Sequence, residues 1–148
     1  VVSGLIFLYA LAGALSVALV LFLVRLVHER MVRVLEPEGI VRRSGRVRIR
    51  LTLRGYRGPV VRRASSFSIR TGELVLTGRR LVLVMPYLIP LGVPPWSAVT
   101  TELRDGKLYL MTEEPPEAQG KVEVTLNVPE PETWIAALQG ARAAGRGA

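Results

Sequence analysis

The chain reads as an all-β domain with a C-terminal capping helix, preceded by one transmembrane α-helix. Three observations predict that class. Val2 to Val27 is apolar with no charge before Arg25; from Arg46 to Val128 short runs alternate apolar and polar residues between Gly and Pro breaks; Pro131 to Arg142 carries apolar residues at helical spacing.

The opening run is VSGLIFLYALAGALSVALVLFLVRLV. About twenty apolar residues rise about 30 Å as a helix, the thickness of a bilayer's hydrocarbon core, and a helix apolar all round has no face to turn to water. Residues 1–27 are therefore expected to cross a membrane. A secretory signal would need a basic start and a shorter apolar centre of about 7 to 15 residues; the Ala12-x-Ala14 pair is the feature here that a cleavage site would use. Arg25, Arg30, Arg33, Arg42 and Arg43 follow the run and no Lys or Arg precedes it. The bias of basic residues then places the N-terminus outside the cell (inner or plasma) membrane and the C-terminal part in the cytoplasm. Ala10, Ala14 and Ala18, with Gly13 and Ser16 beside them, have the four-residue spacing that lets two helix backbones approach, so span association and ordinary apolar filling are both open readings.

Helical spacing continues through Val27, Met31, Val34 and Leu35, and Glu29 stands four residues before Arg33, where an ion pair supports a helix. Pro37 disfavours the helical region for Glu36, so residues 28–37 read as a helical stalk that ends there. His28, on the stalk, reads as a solvated interfacial residue; alone, it cannot build a metal site.

About 110 residues follow, enough for one domain with a core and too few for two. With no cysteine among 148 residues, neither disulfides nor a thiolate metal site is available. The net charge of +8 is uneven: the positive excess lies between Arg25 and Arg80, and the remainder is mildly acidic.

Within residues 38–142, Arg46 to Arg54 reads RVRIRLTLR, with Val47, Ile49, Leu51 and Leu53 on one face and the arginines and Thr52 on the other, a half-buried antiparallel strand. A second run, residues 60–70, has Phe67 and Ile69 as expected inward residues; Thr71-Gly72 is expected to turn the chain into Glu73 to Thr77, and Gly78 to turn it again. Leu81 to Met85 is apolar throughout, which suits the buried centre of a small sheet. PYLIPLGVPPW, Pro86 to Trp96, carries four prolines and is expected to be a loop, its Tyr87, Leu88, Ile89 and Trp96 either packed over the mouth of the domain or set against the membrane interface. Ala98 to Leu103 and Lys107 to Met111 flank Asp105-Gly106, a tight-hairpin signal. A polar loop with Glu113, Glu114 and Glu117 precedes a last strand, Lys121 to Val128. The helix from Pro131 has Glu132 at its positive end and Trp134, Ile135 and Leu138 on one face, and residues 143–148 are expected to be a disordered tail.

The stretch Gly72 to Val84, GELVLTGRRLVLV, resembles the central hairpin of GRAM-like and bacterial pleckstrin-homology-like domains, and PETWIAAL, Pro131 to Leu138, is similar to their terminal helix with its Trp. Val93 to Leu103 takes the place of the strand after that hairpin, and the resemblance covers most of Glu38 to Arg142. It implies a barrel of seven strands in two near-orthogonal sheets capped by a helix, and a non-catalytic role in binding lipids, peptides or partner subunits. Eukaryotic relatives often read phosphoinositides through basic residues between their first strands, and prokaryotic members are often attached to membrane spans.

The residues themselves give no sign of catalysis. General acid–base work needs titratable groups gathered in a concave site, and the sequence has one His on the stalk, one Asp in a hairpin turn, and Ser65, Ser66 and Ser68 with no His near them. No P-loop or G-x-G-x-x-G points to a cofactor. The Arg-rich segment carries the functional weight: Gly39 to Gly72 holds ten arginines and no acid. Arg42, Arg43, Arg46, Arg48, Arg50 and Arg54 are the candidate contacts for an anionic lipid or an anionic partner, against the plainer reading of a solvated strand face or one paired with Glu102, Glu113 or Glu123. Two other classes stay open: an accessory subunit held to an integral membrane partner through its span, and a tethered nucleic-acid binder, for which Tyr56 is the one interleaved aromatic. The basic bias makes a topological prediction: a reporter fused after Ala148 that works only outside the cytoplasm will be silent, and activity there would reverse the orientation.

Overall fold

The computed structural model describes residues 1–58, 64–85, 87–93, 99–113 and 115–146. One unbroken helix, α1 (Val2–Leu35), leads into a 3-10 turn, Glu36–Glu38, that contains Pro37. The helix thus ends where Pro37 predicts. It is long and apolar enough to cross a membrane, and none of its apolar window is buried against the described residues. Among the described residues the remainder is a curled antiparallel sheet of eight strands and a C-terminal helix. The strands are β1 (Ile40–Arg43), β2 (Val47–Arg57), β3 (Ala64–Thr77), β4 (Leu81–Val84), β5 (Leu88–Gly92), β6 (Val99–Arg104), β7 (Lys107–Glu113) and β8 (Gln119–Leu126); the helix is α2 (Pro131–Arg146). Their order across the sheet is β5-β4-β3-β2-β8-β7-β6, with β1 beside β3.

β3 organises the curl. Its first part pairs with β2, ending at Val47 opposite Gly72, and its second part pairs with β4 on one edge and β1 on the other. The expected turn at Thr71-Gly72 is absent, because this glycine serves a close approach. A Cβ at Gly72 would stand 3.0 Å from Ile49 Cδ1 and 3.0 Å from the Val84 carbonyl oxygen. β1, for which the sequence offers four residues without clear alternation, makes an eighth strand where the resemblance implies seven.

The segment read as a loop contains β5. Pro90 is tolerated because β5 lies at the end of the sheet, where a missing N–H leaves no partner unpaired; it sits opposite Val82 at an irregularity in register. Ile89 and Leu91 are buried in the core. The Thr112 hydroxyl donates to the Leu91 carbonyl at 2.8 Å, tying β7 to β5 and so linking the two halves of the curled sheet. The Asp105-Gly106 hairpin is as expected: Arg104 pairs with Lys107 and both turn residues have positive φ, 51° and 72°.

The sheet is apolar on both faces where α1 meets it. Leu74, Leu76, Leu81 and Leu83 point into the main core with Ile49, Leu51, Leu53, Leu108, Val122 and Val124. Val75, Val82 and Val84 point outward, against Val32 and Leu35 of α1, flanked by Met31, Ile40 and Leu88. That is why Leu81 to Met85 is apolar without alternation: the stalk covers its second face. Val34 is 55% exposed and takes no part in the seam. Ile69, expected to face inward, is 50% exposed beside Arg50; the Phe67 side chain, residues 59–63 and residues 94–98 lie outside the described set.

α2 closes one end of the core with Trp134 and Leu138, and it continues through Arg146, beyond the Arg142 at which a frayed tail was expected to follow. Trp134 is 2% exposed. Truncating it removes a large aromatic from a packed site, so Trp134→Ala will cost about 3 to 5 kcal/mol, read as a large fall in the near-UV melting temperature of the full chain in detergent. A melt within a few degrees of the parent would show that the helix does not close the core.

Candidate functional site

On the outer face of β3 three residues alternate toward α1: Glu73, Val75 and Thr77. Each meets the helix or the turn after it in order, Glu73 with His28, Val75 with the Val32–Leu35 seam, Thr77 with Glu38. β3 and α1 therefore run in the same direction along this contact.

Glu73 is the densest polar junction. Its side chain is 1% exposed. His28 Nε2 lies 2.6 Å from Oε2; Arg43 donates from Nε to Oε1 at 2.6 Å and from a terminal nitrogen to Oε2 at 3.0 Å; the Gly45 N–H reaches Oε1 at 3.3 Å. Facing a carboxylate, His28 Nε2 carries the proton. Burial by itself would raise the Glu73 pKa, but the hydrogen bonds from Arg43 and His28 outweigh it and hold the carboxyl below its usual value. The bend between β1 and β2, where Gly45 has φ 71°, wraps the chain around this carboxylate. A second anchor sits at the foot of the stalk: Arg80 donates from Nε to both Glu38 oxygens at 3.0 Å, the Thr77 hydroxyl donates to Glu38 at 3.0 Å, and the hydrogen bond from Arg80 lowers the Glu38 pKa. His28, expected to be solvated, is buried because it shares the helix face of Val32 and Leu35. Glu29, placed by spacing against Arg33, instead approaches Arg43 at 3.9 Å.

The six candidate arginines separate into structural and outward-facing sets. Arg42 stacks 5.0 Å above the Trp134 ring and donates to the Thr133 hydroxyl, and Arg43 is held by Glu73. Arg54 lies 3.8 Å from Glu123, which also pairs with Lys121 at 3.1 Å. Arg46, Arg48 and Arg50 are exposed. Arg48 stands opposite Thr71, and Arg50 between Ile69 and Thr125, so these two face no like charge across the strands, whereas Arg54 stands opposite Lys121 with Glu123 beside both. Arg48 and Arg50 join Arg104 and Lys107 of the β6–β7 hairpin in lining a groove of about 490 Å³, with Asp105 as its acid and Thr125 and Asn127 on its floor. Arg104 is braced there, 3.6 Å above the Tyr109 ring and paired with Glu102. Arg104 and Lys107 lie far from the Arg-rich segment in sequence; the strand order brings them in.

Of the apolar segment, Tyr87 is half-buried and accepts from Arg70 at 3.4 Å, Leu88 lies under the stalk, and Ile89 is in the core, so Ile89 is not open to a membrane; Trp96 is outside the described residues. Ala10, Ala14 and Ala18 are exposed along α1, and none of the described residues beyond its own helix comes within 4 Å of a Cβ placed at Gly13. Among the described residues no three His, Asp or Glu side chains come together as a metal site. Comparison with family models, with curated proteins and with solved structures finds no match.

Because its folded pKa is depressed, Glu73 contributes stability that is present above the usual carboxyl value of 4.5 and lost as the pH falls through the lower folded value. Glu73→Ala leaves Arg43 and His28 facing a void and will cost about 3 to 5 kcal/mol; His28→Ala keeps the Arg43 pair and will cost about 1.5 to 3 kcal/mol. In thermal melts from about pH 7 down to about pH 3, Glu73→Gln will show a shallower acid decline than the parent. An unchanged acid limb would mean that Glu73 is not ionised in the folded chain.

Proposed function

We propose that this chain is a non-catalytic, membrane-anchored binding or scaffolding module of the pleckstrin-homology-like kind, whose β-domain binds the anionic headgroups of the inner leaflet. The observation that carries the reading is the groove lined by Arg48, Arg50, Arg104 and Lys107, with Asp105 as its one lining acid and Glu102 paired to Arg104 beside it, set toward the emergence of α1. The register supports this placement. Arg48 pairs with Thr71, and Thr71 lies two residues before Glu73, on the side toward the apolar run of α1. Each Arg or Lys close to an anionic leaflet gains about 1 kcal/mol, decaying over a Debye length of about 8 Å. A span holds the protein in the bilayer far more firmly than that, so these charges do not recruit the domain; they orient it. The five arginines from Arg25 to Arg43 favour the cytoplasmic side for the domain.

The test uses the domain with its stalk, from Arg25 onward, so that His28 and the valine seam are kept. It will bind phosphatidylglycerol vesicles, release them at high salt and ignore phosphatidylcholine. Replacing Arg48, Arg50 and Lys107 by Gln will weaken binding about a hundredfold, from about 3 kcal/mol of lost attraction, without lowering the melting temperature. Equal binding to neutral vesicles, or no loss in the triple variant, would overturn the lipid reading and favour an accessory subunit held through its span.

A further inference from the structure

We propose that the hollow between α1 and the bend of the sheet holds one anionic phospholipid, a site separate from the basic groove. It has a volume of about 290 Å³ and is walled by Leu23, Val24, Val27 and His28 on the helix, by Thr71 of β3, and by Arg46 and Met85 at the strand ends. The inference rests on reading α1 as a membrane span.

Its depth follows from the clamp. Glu73 is level with His28, and β3 runs back toward the bilayer from there. Two strand residues cover about 6.6 Å and four helix residues about 6 Å, so Thr71 stands level with Val24. The sheet overlaps the end of the apolar run. Val24 and Val27 are each 44% exposed against 64% for Leu21, because the domain shelters one side of the helix. Arg46 opens into the same hollow and has no hydrogen-bond or ion-pair partner among the described residues.

A cation beside apolar surface at the hydrocarbon edge is satisfied by an amphipathic anion. The phosphate of a diacyl lipid would meet Arg46 and the Thr71 hydroxyl, and an acyl chain would lie on Leu23, Val27 and Met85. His28 is not a ligand, since its Nε2 is committed to Glu73. Free phosphate would leave the apolar wall unused. A choline headgroup would bring its own cation toward Arg46, so a net negative headgroup is selected.

The experiment takes the full chain in nanodiscs of mixed phosphatidylglycerol and phosphatidylcholine and releases it into native mass spectrometry. One phosphatidylglycerol is expected to stay with each chain, above the bulk ratio, and water-soluble glycerophosphoglycerol will not displace it. Arg46→Gln will lower the preference about fivefold. Val27→Trp, which fills the hollow from the exposed side of the helix, will abolish retention. Arg48→Gln with Lys107→Gln, in the basic groove, will leave retention unchanged, so retention together with failed vesicle binding would remove the surface reading alone and uphold this one. Lipid at the bulk ratio in the parent, or equal retention in Arg46→Gln and Val27→Trp, would overturn it.

Discussion

A buried carboxylate on the outer face of a strand is costly unless every oxygen is met, and Glu73 is met from three directions: the helix through His28, β1 through Arg43, and the bend after β1 through Gly45. Each partner belongs to a different element. The ion pairs therefore do more than neutralise one another; they fix the height of α1 against β3 and the path of the chain from β1 to β2. The valine seam below supplies the attraction, being non-directional and tolerant of sliding, whereas the Glu73 and Glu38 junctions supply register. A helix that would otherwise be a free tether becomes a rib of the domain.

Much of the architecture is legible in the residues because it rests on local chemistry. The apolar run, the stop at Pro37, the alternation of β2 and the Asp105-Gly106 hairpin each depend on neighbours in sequence. What was not legible depends on contacts across it. Gly72 and Pro90 of β5 carry two meanings, turn or close approach and loop or edge strand, and only the sheet order decides between them. Glu73 only opens a short run, Glu73 to Thr77, in the sequence, and the stalk that covers its side lies 45 residues upstream. A signal was present: Val24, His28, Val32 and Leu35 repeat on one helical face, and an unbroken apolar β4 needs a cover on both faces.

The candidate site divides in the same way. The Arg-rich segment points to an anionic contact, yet its first two members serve the fold, one clasping Glu73 and one stacked on Trp134, while two further cations come from a hairpin some fifty residues downstream. Charge composition identified the segment and could not assign its members, because pairing is a property of the tertiary neighbourhood. With α1 clamped, the face bearing Arg46, Arg48, Arg104 and Lys107 is held at one angle to the helix, and the direction of that face is no longer free.

That rigidity is the central claim, and the absence of cysteine makes it directly measurable. Spin labels at Leu21→Cys and Lys107→Cys, both exposed positions, report the distance between the apolar part of α1 and the basic hairpin by pulsed electron resonance in nanodiscs. The clamp predicts a single narrow distribution, no wider than the labels' own motion, that broadens when Glu73→Gln is introduced. A broad distribution in the parent, unaltered by that substitution, would show that the helix is a flexible tether.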